Sequence, residues 1–88
     1  MRYGDREKLI VLLPGALKFL RRYRPEAKRI MEKLRAYADD PAPQANNIKA
    51  MKGSDAKRLR VGEYRVIFEE TSDEIIVSKI GPRGGVYD

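Results

Sequence analysis

The sequence predicts an α+β fold: a strand, two helices and then three strands, with the helical hairpin packed on one face of a mostly antiparallel four-stranded sheet. Three observations support this prediction. A short apolar run near the N-terminus ends at a Pro-Gly pair, two stretches then show the apolar spacing of helices, and residues 57–87 contain alternating runs typical of strands. With 88 residues, the whole chain, 1–88, is expected to form one domain with a small core.

The N-terminal half is expected to supply the scaffold. Residues 8–13, KLIVLL, form a short run with β-branched side chains, which favours a strand covered on both faces. A helix is predicted over residues 16–23, and Arg24-Pro25 ends it because the residue before proline avoids the helical region. A second helix begins at Pro25, residues 39–47 are expected to be a loop, and Tyr37 is interpreted as a core residue. The apolar stripe of the second helix comprises Ala27, Ile30, Met31, Leu34, Tyr37 and Ala38.

Residues 57–87 carry the functional interpretation. Gly62 and Glu63 separate two alternating runs, and a Gly-X pair suits a type II′ hairpin turn. Counting outward from that turn places Arg60 directly opposite Arg65. Ser72-Asp73 is expected to make the next turn, and Gly81-Pro82 a further turn after the last strand. The count also separates an apolar face from a basic one: Leu59, Val61, Tyr64, Val66 and Phe68 against Arg58, Arg60 and Arg65.

The basic face is unusual, because like charges directly across a ladder are destabilising by about 0.2–1 kcal/mol. An anion lying over Arg60 and Arg65 would explain it, whereas a solvated basic face is the simpler alternative. The chain has 19 Lys and Arg against 13 acidic residues, a net charge of +6, which favours nucleic acid or an acidic protein as partner. It has no cysteine and no histidine, so a zinc site is not expected. Any acid–base chemistry must use Tyr, Lys, Arg, Asp or Glu.

No membrane span and no signal peptide is recognisable in the sequence. A cytoplasmic location is therefore expected.

The run RLRVGEYRVIFEE, followed by a strand and then GPRGGVY, resembles the RelE toxins of bacterial and archaeal toxin–antitoxin pairs, within the RelE/ParE superfamily. The resemblance extends over nearly the whole chain, and GEYR and GPRGGVY are its specific parts. It implies a ribosome-dependent endoribonuclease that inhibits translation by cleaving messenger RNA, through attack of the 2′-hydroxyl group on the adjacent phosphate, with no cofactor or metal. It also implies three partners: a cognate antitoxin protein, the ribosome and messenger RNA.

The resemblance assigns roles to individual residues. Arg65 would contact the scissile phosphate, Arg83 would stabilise or protonate the leaving oxygen, and Tyr87 would stack on the nucleotide. Family members also place two basic residues on the strand before the YR motif. Arg58 matches the second of these, but Ala56 occupies the first, and arginine is a poor general base, so the identity of that base stays open. The candidate catalytic residues are Arg58, Arg65, Arg83 and Tyr87, and the candidate RNA-binding residues are Lys52, Lys57 and Arg60.

Two alternatives remain. A ParE-like toxin would share the fold but poison DNA gyrase by protein contact, and the Arg83 to Tyr87 ending argues against it because that pair suits a phosphate and a base. A non-catalytic RNA- or protein-binding module would use the arginines to hold backbone phosphates or an acidic antitoxin.

Overall fold

Two helices lie on one face of a five-stranded sheet in the computed structural model, which describes residues 8–82. The helices are α1 (Pro14–Arg22) and α2 (Arg24–Asp39). The strands are β1 (Leu9–Leu12), β2 (Ile48–Ala50), β3 (Lys57–Val61), β4 (Tyr64–Glu70) and β5 (Glu74–Pro82), in the order β1-β5-β4-β3-β2. β1 is parallel to β5, and the other neighbours are antiparallel. No helix in this part of the chain is long and apolar enough to cross a membrane.

The predicted α+β class and element order are confirmed, but the sheet has five strands rather than four. The additional strand, β2, lies between the expected loop at residues 39–47 and residue 57, where no strand was predicted from the sequence. It pairs with β3 through a tight connection, in which Met51 N–H donates to the carbonyl of Ala56 at 3.0 Å and Gly53 adopts a φ of 73°. The loop expected at residues 39–47 contains a 3₁₀ helix, Ala42–Asn47.

The expectation that the first strand is covered on both faces was wrong. β1 forms an edge of the sheet, and the helices cover only one of its faces. Ile10 and Leu12 pack against the core on that side, whereas Leu9 is 68% exposed.

The two helices form the expected hairpin, with Tyr23 alone between them. Proline stands in the first turn of both helices, where its missing N–H has no intrahelical partner to lose. The predicted stripe of α2 is confirmed, because Ile30, Leu34, Tyr37 and Ala38 are buried and Ala27 and Met31 pack against them.

The β3–β4 hairpin has the register that the sequence predicts. Arg60 pairs with Arg65, Leu59 with Val66, and Val61 with Tyr64. Gly62 has a φ of 59°, and no residue other than glycine has a positive φ within residues 8–82, so the turn matches type II′ and not type I′. Leu34, Leu59, Val66 and Phe68 are fully buried, which confirms the assignment of the apolar face.

β5 contains an irregularity that changes which of its side chains face the helices. Ile67 of β4 pairs with Lys79 while the next residue, Phe68, pairs with Val77, so Ser78 is an extra residue in a β-bulge. The strand then continues to Pro82, which pairs with Tyr64. The turn expected at Gly81-Pro82 is therefore wrong, because both residues belong to the ladder.

Candidate nucleic-acid interface

The face of the sheet opposite the helices, called here the open face, carries basic side chains from three neighbouring strands. Across β3, β4 and β5, one row consists of Arg58, Ile67 and Lys79, and the next row of Arg60, Arg65 and Gly81. We refer to Arg58, Arg60, Arg65 and Lys79 as the basic cluster. Ile67 lies between them and is only 7% exposed, although it is outside the core beneath the helices.

The two directly opposed arginines of the cluster have no counter-ion in the described part of the chain. Neither Arg60 nor Arg65 forms an ion pair with a carboxylate among residues 8–82, where both ion pairs involve Glu70. Arg60 is exposed, whereas Arg65 is half-buried and donates from Nη1 to the carbonyl oxygen of Tyr64 at 3.3 Å. This face can therefore bind an anion without first breaking an ion pair of Arg60 or Arg65.

Lys79 was not among the residues expected at the site. Strict alternation along β5 from Ile75 and Val77 would direct Lys79 towards the helices, but the bulge at Ser78 directs it to the open face and Ile80 into the core. The sequence contained a signal for this, since the apolar positions Ile75, Val77 and Ile80 are spaced by two and then by three.

Lys57 was expected to bind RNA next to the candidate catalytic residue Arg58, but it lies on the opposite side of the sheet from Arg58. Alternation gives these neighbours opposite faces, and the ammonium group of Lys57 contacts Glu70 Oε1 at 3.1 Å on the helix side. Lys52 is exposed in the connection between β2 and β3. Arg83 and Tyr87 lie outside the described residues, so the structure brings together Arg58, Arg60 and Arg65 of the expected set.

The carboxylate of Glu70, in β4, connects Lys8 with α2 and β3 on the helix side. It accepts hydrogen bonds from Lys8 at 2.7 Å, from the Tyr37 hydroxyl at 2.6 Å and from Lys57 at 3.1 Å. Burial alone would raise the pKa of Glu70, but the three hydrogen bonds and the charge of Lys57 outweigh it and lower the pKa to about 2. Burial and the adjacent carboxylate raise the pKa of Tyr37 well above its ordinary value. Lys57 is therefore held in an ion-pair network and is turned away from the basic cluster.

Comparisons with known proteins point to toxins. A family model described as the ParE toxin of type II toxin–antitoxin systems, parDE, matches residues 10–87. Among solved structures, the crystal structure of the archaeal RelE-RelB complex from Pyrococcus horikoshii OT3 matches with a TM-score of 0.73 and 23% sequence identity, over 90% of this chain and 98% of that one. At this identity the structural match shows a shared fold. No curated protein sequence matches the chain significantly.

Proposed function

The chain belongs to the ParE toxin family of type II toxin–antitoxin systems, within the RelE/ParE superfamily, and we propose that this toxin is a ribosome-dependent endoribonuclease that cleaves messenger RNA. The single observation that carries the proposal is the pairing of Arg60 with Arg65 on the open face, without a carboxylate partner in residues 8–82. A phosphate bound there would relieve the repulsion between the two guanidinium groups.

The chemistry suits these residues because RNA supplies its own nucleophile. The 2′-hydroxyl group gives up its proton to a base while its oxygen attacks the adjacent phosphorus. The bond from phosphorus to the 5′-oxygen breaks, which leaves a 2′,3′-cyclic phosphate, and the leaving oxygen takes up a proton. The protein has to align the two groups and stabilise the charge on the pentacoordinate transition state. Arg65 is the candidate for the non-bridging phosphate oxygens, because it is half-buried in the middle of the cluster and its guanidinium group is already held by a backbone carbonyl.

The C-terminal residues would complete the site. Arg83 follows Pro82, and Pro82 pairs with Tyr64, the neighbour of Arg65 in the chain. We assign to Arg83 the developing charge on the leaving oxygen and to Tyr87 a stacking contact with a base, as the sequence resemblance implies. Arg58 and Arg60 would hold phosphates on the β3 side of the same surface.

The proposed partner of the free toxin is its cognate antitoxin. Membership of a toxin–antitoxin family implies such a partner. The excess positive charge of the chain and the exposed guanidinium of Arg60 suit an antitoxin segment that carries acidic side chains.

A second candidate function is inhibition of DNA gyrase by direct contact. The observation that favours it is the family match itself, because the model that covers residues 10–87 is that of ParE toxins. In that case the basic cluster would contact an acidic protein surface, and the alignment of a 2′-hydroxyl group would have no role.

Two reactions run side by side distinguish the candidates. The purified toxin is added to ribosomes programmed with a defined messenger RNA, and separately to gyrase with relaxed plasmid. We expect cleavage of the ribosome-bound message and normal supercoiling. Intact message together with blocked supercoiling would establish the gyrase function, and no effect in either reaction would favour a binding module. In cells, expression of the toxin without its antitoxin should stop translation and growth.

A further inference from the structure

We propose that Lys79 is a further catalytic residue: an ammonium group that contacts the reacting phosphate from the β5 side, opposite the arginines of β3. This inference rests on the proposed nuclease function. It follows from the register of three strands and from the bulge at Ser78, which together place a lysine where the alternation of the sequence would not.

If Lys79 is left out, Arg65 has a directly paired basic neighbour on β3 but none on β5. On one side Arg65 has Arg60 directly across the ladder, and on the other side it has Gly81, which carries no side chain. Lys79 lies two residues from Gly81 and pairs with Ile67, so it is the diagonal neighbour of Arg65 on β5. Diagonal neighbours have their Cα atoms about 7–8 Å apart, a separation at which two long side chains can reach one phosphate between them.

Lys79 is also available for this contact. Its side chain is exposed, and within residues 8–82 it has no ion-pair partner. The acidic residue nearest to it by register on the open face is Glu69, which follows Phe68 on β4 and forms no ion pair with it. Lys57, in contrast, is held by Glu70 on the other side of the sheet. Among the basic residues of the three central strands, Lys79 is therefore the lysine that faces the proposed substrate.

The bulge explains why this position exists. At the bulge, Ser78 and Lys79 of β5 lie opposite the single residue Ile67 of β4. Ser78 and Lys79 are both exposed. The Ser78 hydroxyl donates to the carbonyl oxygen of Ile67 at 3.3 Å, which ties the bulge to the centre of the basic cluster. Lys79 is thus attached to an ordered part of the sheet, and its flexible stem can adjust to the phosphate.

The test uses single-turnover cleavage of ribosome-bound messenger RNA by the full chain. We expect Lys79→Gln to slow cleavage by about tenfold or more. The effect should be smaller than the ~10²-fold typical of losing one well-placed transition-state donor. Lys79→Arg should keep most of the rate because it keeps the charge. Lys28→Gln is the matched control, since it removes the same charge from the exposed surface of α2. It should leave the rate unchanged at the same salt concentration.

A double variant tests whether Lys79 and Arg65 act on one phosphate. If they do, Lys79→Gln should cost much less in an Arg65→Ala background than in the wild type, because the shared contact is already lost. Full additivity would overturn the inference. So would a Lys79→Arg variant as slow as Lys79→Gln, or a Lys79→Gln rate equal to that of Lys28→Gln while Arg65→Ala remains impaired. A wild-type protein that does not cleave ribosome-bound message overturns the proposed function and this inference with it.

Discussion

At the scale of single residues, Arg65 differs from the other basic side chains in its surroundings. It is half-buried, faces Arg60 across the ladder and is held by the carbonyl oxygen of Tyr64 at 3.3 Å. An arginine on the outer surface of a helix has the same charge but none of these contacts. Replacing such an arginine therefore tests for a general electrostatic role, whereas replacing Arg65 tests for a catalytic one.

We predict that Arg65→Ala lowers single-turnover cleavage of ribosome-bound RNA by ~10²-fold or more, because it removes a positioned donor to the transition state. Arg35→Ala, which removes one exposed arginine from α2, should change the rate little, and only in a way that lower salt reverses. If both variants lose activity equally and low salt restores both, the surface is a diffuse electrostatic one.

Lys57 and Arg58 show why charge in the sequence does not identify a site. They are adjacent in β3, yet Lys57 contacts Glu70 on the helix side while Arg58 belongs to the basic cluster. The strand alternation was sufficient to separate them, but the partner of Lys57 is 13 residues away in the sequence and becomes a neighbour only when β3 and β4 pair.

At the scale of elements, the β3–β4 turn sets the register on which the basic cluster depends. Gly62 has a φ of 59°, where a side chain is strained, and a Cβ atom added there would lie 3.3 Å from Nη2 of Arg29. A register shift by one residue would move the arginines of the open face into the core.

We predict that Gly62→Ala lowers the free energy of unfolding by about 1–3 kcal/mol, the cost of holding a residue with a Cβ atom in this backbone conformation. Glu63→Ala is the control, because Glu63 is exposed and has a negative φ. Urea denaturation of both variants provides the measurement. A Gly62→Ala protein as stable as Glu63→Ala would contradict the turn geometry.

The packing of the helices on the sheet depends on Phe68. Its side chain is fully buried, and its ring lies edge-on to that of Tyr37 with centroids 5.4 Å apart. We predict that Phe68→Ala costs about 3–5 kcal/mol of stability, a large part of what a domain of this size has. Thermal melting monitored by circular dichroism would show it. Near wild-type melting would mean that Phe68 does not support the core as the structure indicates.

At the scale of the whole molecule, Glu70 connects residues that are far apart in the sequence. Lys8 stands immediately before β1, Tyr37 is in α2 and Lys57 is in β3, and all three donate to this one carboxylate. Because the pKa of Glu70 in the folded state is about 2, below its ordinary value of 4.5, the ionised carboxylate stabilises the fold. That contribution is fully present above pH 4.5 and is lost as the pH falls towards 2.

We therefore predict that Glu70→Gln lowers the Tm at neutral pH, and that its difference from the wild type shrinks as the pH is lowered below about 4.5. Glu69→Gln is the matched control, because Glu69 is exposed and forms no ion pair within residues 8–82. It should show a small difference in Tm at neutral pH. A Glu70→Gln difference that stays constant from neutral to acidic pH would show that the network is not stabilised by the ionised carboxylate.

The sequence by itself determined the element order, the helical stripes, the β3–β4 register and the face that carries Arg58, Arg60 and Arg65. Each of these follows from local periodicity or from a turn residue, and such signals act over a few positions. Only the tertiary structure decided that β2 joins the sheet, that Glu70 holds Lys57 on the helix side, and that Lys79 stands beside Arg65. These features depend on which strands pair and on a bulge. Pairing brings together residues that are distant in the chain, and one extra residue in a strand moves the side chains that follow it to the opposite face of the sheet.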